Sequence, residues 1–188
     1  MKSLPDYWGT TEDETRLEYR CDALITTIDT ELFRAVGIDA PAPTVFRWLC
    51  QLKLAPYSYD WIDNFGRQSP QTLTPGADNL EKGQRVMTIF RLVDFEKDRH
   101  ITLAMDIPWA KRFLGETSVT YMVVPQGQGE GGGCRLLAKL CIMYPAAFFK
   151  GVLGFPFRLF LSWGDLIMMR KQLLNLKELS EKTVQNGK

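Results

Sequence analysis

Apolar positions near the end of the chain recur at helical spacing. Between Leu159 and Glu181, the side chains of Leu159, Leu166, Met169, Leu173 and Leu176 fall on one side at 100° per residue, which predicts an amphipathic helix. Upstream the spacing changes. Glu31 to Asp39 is a strand candidate, with Leu32, Ala35, Val36 and Ile38 apolar, and Ala-Pro-Ala-Pro at 40–43 stops it. Pro43 suits a first helical turn, and Val45, Phe46, Leu49 and Leu52 continue at helical spacing. Ser58 can cap a short helix ending at Gly66, and residues 68–83 read as a loop. Gln84 to Phe95 and His100 to Asp106 form a hairpin candidate across Glu96 to Arg99. Two further strand-like runs, Thr117 to Pro125 and Cys134 to Met143, are joined by the glycine-rich Gln126 to Gly133. The second run is short enough to fit a helix as well.

This order is α+β: one strand, short helices, several strands, then a long helix. A helix that closes an antiparallel sheet must bury its stripe against that sheet. Here the stripe is rich in Met and Trp, side chains that fill irregular spaces and line adaptable pockets. Several strands are apolar on both faces, which suits a curved sheet with a helix packed inside it. Residues 1–30 read as a polar lead-in, with helical turns around Arg16 to Cys21.

Composition narrows the function classes. The 188 residues fit one domain with a real core. A net charge of +1 gives no electrostatic reason to expect nucleic acid. Cys21, Cys50, Cys134 and Cys141 show no CxxC spacing and His100 is the one histidine, so the ligand spacing of a zinc site is missing. With no apolar stretch at the N-terminus, the expectation is a cytoplasmic protein with reduced thiols. Leu140 to Trp163 has the length of a membrane span but contains Lys150 and Arg158, each costing about 2.5–3.5 kcal/mol near a span's centre. Pro145, Gly151, Gly154 and Pro156 interrupt it too, so it reads as strand, turn and helix start, with peripheral membrane contact as the alternative.

Four side chains are candidates for chemistry. Asp60 and Asp63 lie three apart and share a face if helical, placed for acid–base work or for capping and pairing with Arg67. His100 opens a strand without a sequence-adjacent partner. Asp165 either caps the closing helix or projects a carboxylate into a cavity. Gly127, Gly129 and Gly132 match G-x-G-x-x-G, yet the segment after them is strand-like rather than the helix that a dinucleotide site needs.

Three stretches together resemble the START-like (SRPBCC, helix-grip) superfamily, in its branch related to polyketide cyclase/dehydrase and lipid-transport proteins. They are the strand and Ala-Pro turn from Arg34 to Leu49, Tyr57 to Asn64, and Gly164 to Leu173. The resemblance covers residues 31–182 and implies a single domain over 31–184, with the lead-in before it and a tail at 185–188. It implies a curved antiparallel sheet wrapped around the C-terminal helix and enclosing an apolar cavity. The expected partner is a hydrophobic small molecule, with Trp61, Phe90, Met105, Trp109, Tyr121, Trp163 and Met169 as cavity-facing candidates. No cofactor or metal is implied, and no catalytic residue transfers. A cyclase or dehydratase using Asp60, Asp63, His100 or Asp165 is the enzymatic alternative, and a membrane module with Tyr144 to Phe160 as a lid is a third.

Overall fold

A computed structural model describes residues 4–64, 66–127, 132–145 and 154–187. Seven strands form one sheet in the order β1-β2-β7-β6-β5-β4-β3. They are β1 (Tyr7–Trp8), β2 (Thr30–Ile38), β3 (Arg85–Val86), β4 (Phe90–Glu96), β5 (His100–Met105), β6 (Glu116–Pro125) and β7 (Cys134–Met143). All neighbouring pairs are antiparallel except β1 with β2. The helices are α1 (Ala42–Cys50), α2 (Asp60–Asp63), α3 (Pro108–Leu114) and α4 (Gly154–Asn186). The sheet is curved and open, and α4 closes it in the helix-grip arrangement.

Strand alternation sends each residue to one of two faces, and both faces are buried. On the helix side, Leu32, Ile38, Val119, Tyr121, Leu136, Ala138 and Leu140 pack with Leu173 and Leu176 of α4. Those two leucines are fully buried, each contributing about 1.5–3 kcal/mol relative to exposure. On the other face, Phe33, Ala35, Leu137 and Cys141 are covered by Tyr19, Cys21 and Ile25. The chain before β2 is thus laid across the outer face in two 3-10 turns, Glu14–Arg16 and Arg20–Ala23, after β1 has paired with β2.

Several sequence expectations shift. Gln84 to Phe95 is not one strand, because Met87 and Thr88 take φ values of 45° and 64° and break it into β3 and β4. Helix α3 stands between two strand candidates, opened by Pro108 and followed by Gly115 at φ 89°. Cys134 to Met143 is a strand paired on both edges, not a helix. The long helix begins at Gly154, well before the periodic stripe suggests, so Asp165 lies in its interior and caps nothing. Ser58 lies outside α2 and does not cap it. Gln126 and Gly133 close the β6–β7 hairpin by a backbone hydrogen bond of 2.8 Å, which leaves no helical crossover for a dinucleotide. Gly129 and residues 146–153 of the proposed lid fall outside the described residues.

Candidate functional site

Between the sheet and α4 lies a cavity of about 370 Å³, within the range of small-molecule sites. Its wall is mostly apolar, with Met87, Phe90, Leu114, Val119, Leu140 and Met169 among its residues. Polar groups enter from three elements. Asp165 and Gln172 come from α4, Tyr121 from β6, and Ser58 and Asp63 from the α2 region. A groove of similar size, about 360 Å³, lies beside Glu18, Arg20 and Asp22, where the lining is charged.

Asp165 is held by the sheet. On β2 the inward register runs Leu32, Arg34, Val36, so one charged side chain occupies an apolar row. The Arg34 side chain is fully buried and its Nη2 donates to Asp165 Oδ2 at 2.7 Å. Its Nη1 donates to the carbonyls of Asp6 and Phe33 at 2.8 and 3.0 Å. Nη1 and Nη2 are therefore committed to the wall while Nε is buried without a partner, and Asp165 is the member of the pair that reaches the cavity. Burial pushes the Asp165 carboxyl up to about 6, against the opposing pull of Arg34.

Tyr121 and Gln172 form a second polar point. Tyr121 Oη donates to Gln172 Oε1 at 2.6 Å, and Gln172 Nε2 donates to the Pro56 carbonyl at 2.6 Å. Burial, and then the Asp165 charge, raise the pKa of the Tyr121 phenol. The third point depends on backbone geometry. Tyr57 is buried at φ 58°, a left-handed conformation that a bulky residue adopts only when its surroundings impose it. Asn175 Nδ2 donates to its carbonyl at 2.8 Å, tying the segment to α4. Beyond it, Ser58 Oγ donates to Asp63 Oδ2. Burial raises the Asp63 pKa, and the Ser58 hydrogen bond partly offsets the rise.

Phe90, Tyr121 and Met169 thus line one cavity together with Asp63 and Asp165. The remaining candidates lie elsewhere. Asp60 accepts hydrogen bonds from Ser69 N and Oγ, at 2.8 and 2.5 Å, and fastens the following loop. His100 points to the outer face, where its Nε2 lies 3.3 Å from Asp94 Oδ2. Met105 is buried at the end of β5, outside the cavity lining. Trp61, Trp109 and Trp163 are exposed on α2, α3 and α4, because each projects from a helix side that packs against nothing in the core. Periodicity alone passes over Arg34 and Gln172. Both carry a legible signal, a strongly polar residue in an inward apolar row.

Among the described residues, Cys21, Asp22 and Cys141 bring ligating atoms within 4.8 Å of one another. Lys139 Nζ lies 2.6 Å from Asp22 Oδ1, so a cation already occupies that carboxylate. No described helix is long and apolar enough to cross a membrane.

No protein-family model and no curated protein matches the chain. Solved structures do. The di-domain ARO/CYC StfQ from the steffimycin biosynthetic pathway matches over 82% of this chain at 12% identity, with a TM-score of 0.54. The chain spans about half of StfQ, 51% of its length. TTHA0849 from Thermus thermophilus matches over 81% of this chain and 98% of its own, at 15% identity and a TM-score of 0.50. A START superfamily protein from Mycobacterium smegmatis matches over 84% and 99%, at 13% identity and 0.46. The fold is the one found in StfQ and TTHA0849. At these identities the likeness extends to the fold and no further.

Proposed function

We propose that the protein binds a hydrophobic small molecule in the cavity between the sheet and α4. The observation that carries this reading is the cavity itself. A mostly apolar space of about 370 Å³ opens between the sheet and α4, and a few convergent polar groups could orient a ligand in it. StfQ, an ARO/CYC protein of the steffimycin biosynthetic pathway, shares the fold, which supports the reading without naming this ligand.

The test is native mass spectrometry of the gently purified chain, before and after exposure to lipid and aromatic polyketide mixtures. A discrete bound mass is expected, and Val119→Phe, which fills the cavity from β6, should abolish it. Protein that stays empty throughout sinks the reading. A second reading, acid–base conversion of the bound molecule, is favoured by Asp165, whose carboxyl at about 6 can exchange a proton near neutral pH. The same experiment separates the two. A ligand recovered with its mass unchanged after prolonged incubation supports binding alone, and a product mass that disappears with Asp165→Asn supports chemistry.

A further inference from the structure

Both ionisable carboxyl groups that reach the cavity are negative when charged, and among the described residues no Lys, Arg or His lines it. Arg34, outside the lining, offsets the charge of Asp165 through Nη2, gives Nη1 to two backbone carbonyls and keeps a buried Nε without a partner, so Asp63 is the carboxyl that no base compensates. Asp63 is the less satisfied of the two acids. Its Oδ2 accepts from Ser58, but its Oδ1 is buried without a hydrogen-bond partner. A desolvated carboxylate oxygen left without a donor is costly, and a donor arriving with the ligand would relieve that cost. The rest of the wall suits a cation as well. Phe90 and Tyr121 bring aromatic rings to the lining, and Met87, Met168 and Met169 bring polarisable side chains, those of Met87 and Met169 already accepting hydrogen bonds at sulfur from Gln172 and Tyr121.

We propose that the cavity selects an apolar amine, an alkyl- or arylammonium whose charged end is received by Asp63 and Asp165. The inference rests on the reading that this cavity binds an apolar ligand, and it adds which polar end that ligand carries. An apolar carboxylic acid is disfavoured for the converse reason. It would bring a further negative group beside Asp63, which no base compensates, into a low-dielectric space with no lining base to receive it.

Calorimetric titration of the full chain with decylamine, decanol and decanoic acid, each below its aggregation concentration at neutral pH, tests this. The three probes share one apolar body and differ only at the polar end. Decylamine is expected to bind tighter than decanoic acid by about tenfold or more, with decanol between them. Asp63→Asn should lower that preference severalfold. Asp165→Asn should do likewise, but it also leaves Arg34 unpaired, so Asp63→Asn is the decisive variant if the other fails to fold. Equal or tighter binding of the acid, or a preference that survives Asp63→Asn, overturns the amine while leaving apolar binding intact. Failure of all three probes to bind overturns both.

Discussion

Arg34 and Lys139 sit on adjacent strands one register position apart, Arg34 opposite Ala138 and Phe33 opposite Lys139, yet they point to opposite faces of the sheet. Each is a buried base paired with acid, and the two surroundings are built differently. Lys139 is enclosed on the outer face. Its Nζ lies 2.6 Å from Asp22 and 2.7 Å from Glu31, and the rings of Tyr19 and Phe33 are 5.6 and 5.1 Å away. Burial works against the Lys139 charge, but the two carboxylates override it and raise its pKa. Arg34 has a single carboxylate, and that carboxylate borders an open cavity. An enclosed, doubly compensated base fastens one segment to another; here it holds the chain before β2 onto the sheet. A singly compensated acid at a cavity wall keeps capacity for something else. Exposure of the partners reinforces the contrast, at 37% and 44% for the Asp22 and Glu31 side chains against 17% for Asp165.

Substitutions on the two faces should differ in size. Arg34→Leu should have the largest effect, about 3–5 kcal/mol lost in urea unfolding, because Asp165 is left in the wall without its base. Replacing both members, Arg34→Leu with Asp165→Leu, should recover most of that loss. A double replacement as damaging as the single one would show that the pair is not the source.

The next effect is a pH dependence of about 2–3 kcal/mol from Asp165. Its carboxyl is pushed from the ordinary 3.8 up to about 6 by burial, so the folded state holds the proton more tightly than the unfolded chain. That contribution is fully present below the unfolded value and is lost as pH rises through about 6. Unfolding curves collected across that window should show the decline in the native chain and not in Asp165→Asn. Stability that is flat or rising there would mean that burial does not hold the proton on this carboxyl.

Lys139→Met should have the smallest effect, about 1–2 kcal/mol, since Asp22 and Glu31 remain partly hydrated once the base is gone. Limited proteolysis ahead of β2 should speed up in the same variant. A loss exceeding that of Arg34→Leu would reverse the assignment of fastening and site to the two faces.

Much of the frame was legible along the chain. The strand into Ala-Pro-Ala-Pro, the final hairpin and the closing stripe of Leu166, Met169, Leu173 and Leu176 all follow from periodicity and proline chemistry, whereas Leu159, placed in the same stripe by its spacing, is exposed. The site was legible only in part. Phe90, Tyr121 and Met169 reach the cavity, whereas Trp61 and Trp109 are exposed, because a helix of 4 or 7 residues shows too little periodicity to tell its inner side from its outer one. Asp60 and Asp63 share a short helix but separate in role, one turned to Ser69 and the other to the cavity.

What the order of residues decided is the set of elements and which face of each strand is apolar, since both rest on local sterics and on spacings of two and 3.6 residues. What only the folded chain decided is which polar groups meet. Arg34 and Asp165 are 131 positions apart, and Asp22 and Lys139 are 117 apart. No local pattern links such pairs. Sheet curvature and the path of α4 set the distances between them, and the water excluded there turns an ordinary carboxyl into one that ionises near 6.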